Sequence, residues 1–315
     1  MNTIDEIKRL KKEQNAVILA HYYQEGAIQD IADYVGDSFY LAKMGQQVKE
    51  QVILLAGVVF MAESVKLLNP TKTVLVPDLR AGCSLVDEAP FDQYLAWKKN
   101  NPRGITVTYI NSSTQVKSIS DVIVTSSNAK QIVEAIPKDR PILFGPDKNL
   151  GAYLSKEIGR DFILWPGSCQ VHVLFEAQKL LALIKEHPDA VVIAHPECED
   201  SVLMWAQVIG STSRLLEEVE KNPAKKFIVA TETGIFHEMK KRRPDAQLIQ
   251  APVTDPSCSC NDCPYMKLSS LEKIKVALQT LKPQIQIPEG LREEARVGLD
   301  RMMSITSGKP VSWPL

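Results

Sequence analysis

The sequence predicts an α/β protein: three similar α/β/α modules with four-stranded parallel sheets in a pseudo-threefold arrangement around a central cavity. Two observations predict it. The first is a repeat that holds register without a gap. His21, Tyr109 and His195 stand 88 and 86 residues apart. Each closes an apolar run: Ala16-Val-Ile-Leu-Ala20, Ile105-Thr-Val-Thr108 and Ala190-Val-Val-Ile-Ala194. Seventeen residues on come Ser38, Ser126 and Thr212. Thirty-six on come Gly57, Gly145 and Thr231, each ending a second apolar run, and a last run centres fifty-five on, at Val76, Leu164 and Gln250. A fixed recurrence marks repeated structural units. The second observation is that, inside each period, short β-branched runs alternate with helical patterns, as in parallel sheets with helical crossovers.

The elements follow in order. Residues 16–20 read as a first strand, apolar at every position as a strand covered on both faces must be. A short helix follows at 29–34, a very short second strand ends at Val35, and Ser38 caps a helix to about Gln47. Residues 52–56 form the third strand, 60–68 a helix closed by Asn69-Pro70, and 73–76 the fourth strand. The second module repeats this with a strand at 122–124 and a helix at 128–136. The third has a strand at 208–209 and a helix at 213–220. Boundaries near 87–102 and 171–189 divide the chain into modules 1–86, 87–171 and 172–264. The second boundary carries the helical pattern Phe175-Glu-Ala-Gln-Lys-Leu-Leu-Ala-Leu-Ile184. Residues 265–315 form a C-terminal extension with amphipathic helices at 268–281 and 290–303, and a tail from Ser307 without regular pattern, read as a tether. Right-handed crossovers place every strand's carboxyl end on one edge, where open α/β sheets bind ligands. Three such edges facing one axis enclose a single cavity.

Composition narrows the function. Apolar residues are 44% and charged residues 24% of 315, ordinary for a globular chain. A net charge of -1 offers no electrostatic footprint for nucleic acid or an anionic membrane. No apolar stretch approaches the roughly 20 residues of a membrane span. The polar start Met1-Asn-Thr-Ile-Asp-Glu-Ile-Lys8 lacks a signal-peptide core, so a cytoplasmic location is expected. Six cysteines in such a chain point to metal or redox chemistry rather than a disulfide framework.

The chemistry gathers at the expected sheet edge. Cys83 lies in Pro77-Asp-Leu-Arg-Ala-Gly-Cys-Ser84, Cys169 in Trp165-Pro-Gly-Ser-Cys-Gln-Val-His172, and Cys258, Cys260 and Cys263 close the third module. Glycine before a thiol suits close backbone approach to a bulky inorganic group. The paired knuckles of structural zinc are missing. Three widely spaced thiolates suit a 4Fe–4S cluster with one iron unligated by protein, a Lewis acid for hydro-lyase work; buried thiols are the plainer alternative, and Cys198 reads as one. His21 and Tyr23, Tyr109 and Asn111, His195 and Glu197 are i, i+2 pairs on one side of each first strand's end. His172 either joins them or caps the next helix, while His187 and His237 read as bland. Ser38, Ser126, Ser211 and Thr212 precede helices, where capping and anion binding share one geometry. Another cluster-dependent hydro-lyase fits the cysteines but not anion-holding turns in every module. A redox sensor using Cys260 and Cys263 is the non-enzymatic reading.

Across residues 20 to 266 the chain resembles the quinolinate synthase family. Ala20-His-Tyr-Tyr-Gln24, Gly36-Asp-Ser38, Ala81-Gly-Cys-Ser-Leu85, Tyr109-Ile-Asn111, Thr125-Ser-Ser-Asn128, Pro166-Gly-Ser-Cys-Gln-Val-His172, Ala194-His-Pro-Glu-Cys198 and Cys263-Pro-Tyr-Met266 carry the resemblance. It implies condensation of iminoaspartate with dihydroxyacetone phosphate to quinolinate, phosphate and water on a route to NAD, and a functional link to an L-aspartate oxidase or dehydrogenase. It implies a 4Fe–4S cluster on Cys83, Cys169 and one of the last three cysteines. The Cys-Pro-aromatic-Met ending favours Cys263; the repeat favours Cys258, 63 residues past its origin against 62 and 60. Cys263 is taken, because register is already lost there. By the same resemblance His21, Tyr23, Tyr109, His195 and Glu197 handle protons, Glu197 being the candidate base if the site raises its pKa. Ser38, Asn111, Ser126, His172, Ser211 and Thr212 hold substrate, and Met61 lines the pocket.

Overall fold

A computed structural model of the chain describes residues 2–254 and 261–314. Among these, three parallel four-stranded sheets share one strand order. The first holds β1 (Ala16–His21), β2 (Tyr34–Gly36), β3 (Val52–Ala56) and β4 (Thr73–Leu75) in the order β2-β1-β3-β4. The second holds β5 (Ile105–Tyr109), β6 (Val122–Val124), β7 (Ile142–Gly145) and β8 (Phe162–Leu164) in the order β6-β5-β7-β8. The third holds β9 (Val191–Ala194), β10 (Val208–Ile209), β11 (Lys226–Ala230) and β12 (Gln247–Gln250) in the order β10-β9-β11-β12. The predicted α/β architecture of three like modules is therefore the observed one.

Burial explains the apolar runs. Every residue of β1, β3, β5 and β7 is buried, because parallel sheets need both faces covered. Alternate β1 residues serve different cores. Val17 and Leu19 pack with Leu41 and Val65, while Ile18 and Ala20 pack with Ile7, Leu10, Ile274 and Leu278. Helix Leu271–Thr280 thus returns to the first module and packs on Thr3–Glu13. Helix Glu289–Thr306 bridges Val59–Leu68 of the first module to Thr114–Ser118 and β6 of the second. The first and second modules share one continuous core as a result. No helix of the described residues is long and apolar enough to cross a membrane.

Some elements differ from the sequence reading. The first short helix runs Gly26–Ile31 rather than over 29–34. Pairing of Tyr34, Val35 and Gly36 with Leu19, Ala20 and His21 claims its expected end for β2. The cap of Ser38–Gln47 is Asp37, whose side chain accepts the Tyr40 N–H, so Ser38 is not the cap. The tail is tied down: Trp313 Nε1 donates to Ala135 O at 3.1 Å, and the Arg301 guanidinium sits 5.5 Å from the Trp313 ring centre. Asp37 has a further role. Its Oδ2 accepts Ser127 Oγ from the second module and Ser213 Oγ from the third, each at 2.6 Å.

Candidate active site

The strand ends of all three modules enclose one cavity. His21 ends β1 and Tyr23 follows it, Tyr109 ends β5 and Asn111 follows it, and His195 and Glu197 follow β9; all six line it. Ser38, Ser126 and Thr212 line it from the second-strand turns, and Cys83, Cys169, His172 and Cys263 from the loops after the fourth strands. Met61 and Ser211 are not in its wall. Met61 is buried in helix Val59–Leu68, and Ser211 caps Thr212–Lys221 by accepting the Arg214 N–H. Cys258 and Cys260 lie outside the described residues.

The three thiols share a local structure that the loosening of the repeat conceals. Each opens a helical turn: the Cys83 carbonyl accepts from Val86, Cys169 from Val173 and Cys263 from Lys267. Backbone N–H groups are directed at each sulfur, from Leu85 and Val86 to Cys83, His172 to Cys169, and Tyr265 and Met266 to Cys263. Burial pushes the Cys83 thiol up to about 12 and the other two upward as well. Cys263 adds to the shift of Cys83, and Cys83 to that of Cys169, so the sulfurs sense one another. Half-buried sulfurs close together and served by N–H donors are the donor set of a soft metal centre. The Cys169, His172 and Glu197 ligand atoms also lie within 4.8 Å of one another, a second arrangement able to hold a metal. Of the glycines before the thiols, Gly82 lines the cavity and Gly167 serves packing. A Cβ at Gly167 would lie 2.6 Å from the Pro146 carbonyl oxygen.

Hydrogen bonds assign the imidazoles. Burial lowers His21 to about 4 and His195 to about 3, so both are neutral. His21 Nδ1 accepts the Tyr23 N–H at 3.1 Å and His195 Nδ1 accepts the Glu197 N–H at 3.4 Å, which leaves each Nε2 carrying the proton. His195 Nε2 then donates to Ser126 Oγ at 3.2 Å. A buried chain runs from wall to wall. Tyr23 OH meets Thr231 Oγ1 at 2.7 Å, Thr231 meets His172 Nε2 at 3.0 Å, and His172 Nδ1 meets Glu197 Oε2 at 2.8 Å. Burial alone would raise Glu197, but the neighbouring His195 and His172 imidazoles and the hydrogen bonds from His172 and the Tyr109 hydroxyl together shift it downward. The site therefore lowers the pKa of Glu197 instead of raising it. Burial and the charge of Glu197 raise Tyr23, Tyr109 and the buried Asp147 behind them.

Sequence reasoning missed Thr231, Asp37, Asp147 and the apolar walls Val58, Phe60, Val171 and Met266. Thr231 occupied a repeat position held by glycine in the other two modules, and that departure was the available signal. Asn111 Oδ1 and Thr125 Oγ1 are buried without a hydrogen-bond partner among the described residues. Such atoms in a cavity wall call for a polar ligand.

A family described as "Quinolinate synthetase A protein" matches residues 5–304. A protein of Synechococcus named quinolinate synthase is 50% identical over 301 residues, 96% of this chain and 94% of that one. Proteins of the same name from Prochlorococcus marinus and Nostoc punctiforme are 50% and 51% identical, covering 97% and 95% of this chain and 92% of each relative.

Proposed function

The chain belongs to the quinolinate synthase family, enzymes of NAD biosynthesis, and on that footing we propose that it condenses iminoaspartate with dihydroxyacetone phosphate, releasing quinolinate, phosphate and two waters. A 4Fe–4S cluster is held by Cys83, Cys169 and Cys263. The observation carrying this reading is the meeting of three distant thiols with polar strand-end pairs from every module in one buried cavity. When bound, a cluster with one iron unligated by protein supplies a Lewis acid for a substrate hydroxyl or carboxylate oxygen.

The chain's own groups do the rest. Ser38, Ser126 and Thr212, at turns leading into helices, face the substrate's carboxylate and phosphate groups, with Asn111 and Thr125 in the same wall. The Nε2–H groups of neutral His21 and His195 donate to substrate oxygens without adding net charge. Tyr109, hydrogen-bonded to Glu197, stays a protonated phenol and orients that carboxylate. Glu197, its pKa shifted downward, stays a carboxylate that orients His172, and the path through His172 and Thr231 leads on to the Tyr23 phenol on the opposite wall. Val58, Phe60, Val171 and Met266 keep bulk water out. Met61 packs with Val58, Phe60 and Met266 behind this wall. Because iminoaspartate carries an imine at the oxidation level above an amine, an enzyme oxidising L-aspartate must supply it.

Protein purified without oxygen is expected to be brown, with about four irons per chain, and to make quinolinate from the two substrates. Cys83→Ser or Cys169→Ser abolishes iron retention, while Cys198→Ser, which alters a fully buried thiol 3.4 Å from the Ala230 carbonyl, keeps it. A colourless anaerobic preparation without iron would overturn the cluster. Full turnover in Glu197→Gln would remove its role in orienting His172.

A further inference from the structure

We propose that Asp147 and Glu232 are equivalent positioning residues, each holding the backbone of one thiol from the end of its module's third strand. Asp147 lies just past β7 and Glu232 just past β11, and both are fully buried. Asp147 Oδ2 accepts the Cys169 N–H at 3.1 Å. Glu232 Oε1 accepts the Cys263 N–H at 3.2 Å. Each carboxylate also fixes its own strand's exit: Asp147 Oδ1 accepts the Leu150 N–H at 2.8 Å, and Glu232 Oε2 the Gly234 N–H at 2.7 Å. The same device thus recurs in two modules, although the sequence repeat offers an acid one residue out of step.

Glu232 reaches further than Asp147. Its Oε1 pairs with Lys267 Nζ at 2.9 Å, and that amine also donates to the Tyr23 carbonyl at 2.9 Å. Lys267 lies in the helical turn that Cys263 opens, so the pair fastens the loop to the first module. Gln24 Nε2 donates to the Met266 carbonyl at 2.9 Å and Asn261 Nδ2 to the Val171 carbonyl at 2.8 Å, tying the same loop toward Tyr23 and toward Cys169. At Gly234 a Cβ would fall 2.7 Å from Tyr23 Cα, so the third module abuts the first where the clamp sits. Removing one member of a buried pair leaves the other charge uncompensated. Loss of Glu232 leaves both Lys267 and the Cys263 N–H without their partner, and loss of Asp147 leaves the Cys169 N–H without its acceptor, so each should loosen one thiol and spare the rest.

The proposal rests on the cluster reading for its consequence, and its geometry is independent of that reading. The test uses the full chain purified without oxygen. Iron release to a chelator is timed, and each thiol's alkylation by iodoacetamide is followed by mass spectrometry as the metal leaves. In Glu232→Ala, the alkylation rate of Cys263 relative to that of Cys83 should rise about tenfold over the unaltered chain, a factor worth roughly 1.4 kcal/mol, near the lower end for one charge-assisted bond. In Asp147→Ala, Cys169 should show the same selectivity. Iron release should quicken in both. If truncation prevents folding, Glu232→Gln and Asp147→Asn keep the shape and should give the same selective pattern, about threefold at the scale of a neutral bond. Unchanged alkylation, or equal acceleration of all three thiols, overturns the proposal. A chain that never held iron would instead overturn the function above, and the alkylation pattern would still decide this one.

Discussion

Both cavity histidines after first strands are held neutral by burial, and this has a consequence for stability. His21 titrates at about 4 and His195 at about 3 in the folded chain, against 6.5 ordinarily. Between those values the unfolded chain binds more protons, so stability rises with pH across the window. Their contribution is complete above about pH 6.5 and is lost as pH falls through 4 and then 3, at roughly 1.4 kcal/mol per pH unit for each group. Melting temperatures measured from pH 7 to 4 should fall, and His21→Gln should flatten the decline. An unchanged slope would show that His21 is not buried in neutral form. The i, i+2 spacing made these residues legible, because a strand places such pairs on one side. Their protonation, and that of Glu197, was not legible, since charge states depend on neighbours far along the chain. Burial raises Glu197, and it is lowered by neighbouring His195 and by His172 and Tyr109, 25 and 88 residues away.

At the scale of elements, capping and cavity lining fall to adjacent residues. Ser211 caps while Thr212 faces the cavity; in the first module Asp37 caps and shares the cavity wall with Ser38. A sequence pattern marks the turn but not the division, which depends on the backbone dihedrals at the helix start. Ser211→Ala should therefore cost about 1 kcal/mol of stability with KM nearly unchanged, and Thr212→Ala should raise KM with little loss of stability. Steady-state kinetics beside denaturant unfolding separates the two, and equal effects on KM would refute the division. The strands were legible because each is apolar over its length and recurs at fixed spacing. The short helix before β2 was misplaced because strand pairing, a contact between distant residues, fixed where it ended.

On the scale of the whole molecule, Asp37 joins the three modules beside the cavity. One carboxylate takes hydroxyls from Ser127 and Ser213 and caps its own helix. Asp37→Ala should destabilise the protein by about 4 kcal/mol, a helix cap of about 1 and two charge-assisted bonds of about 1.5 each, read from the denaturant midpoint. A loss of only about 1 kcal/mol, that of a cap alone, would mean that the modules are held together elsewhere. The sequence by itself determined the three four-stranded parallel sheets and the polar groups at their ends, because period and apolar burial are local properties repeated along the chain; the strand order 2-1-3-4 came from pairing between distant segments. Tertiary structure alone decided that Thr231 links Tyr23 to His172, that Glu232 and Asp147 hold two thiols, and that the C-terminal helices return to the first two modules. Those depend on distances between residues far apart in sequence, which no local pattern encodes.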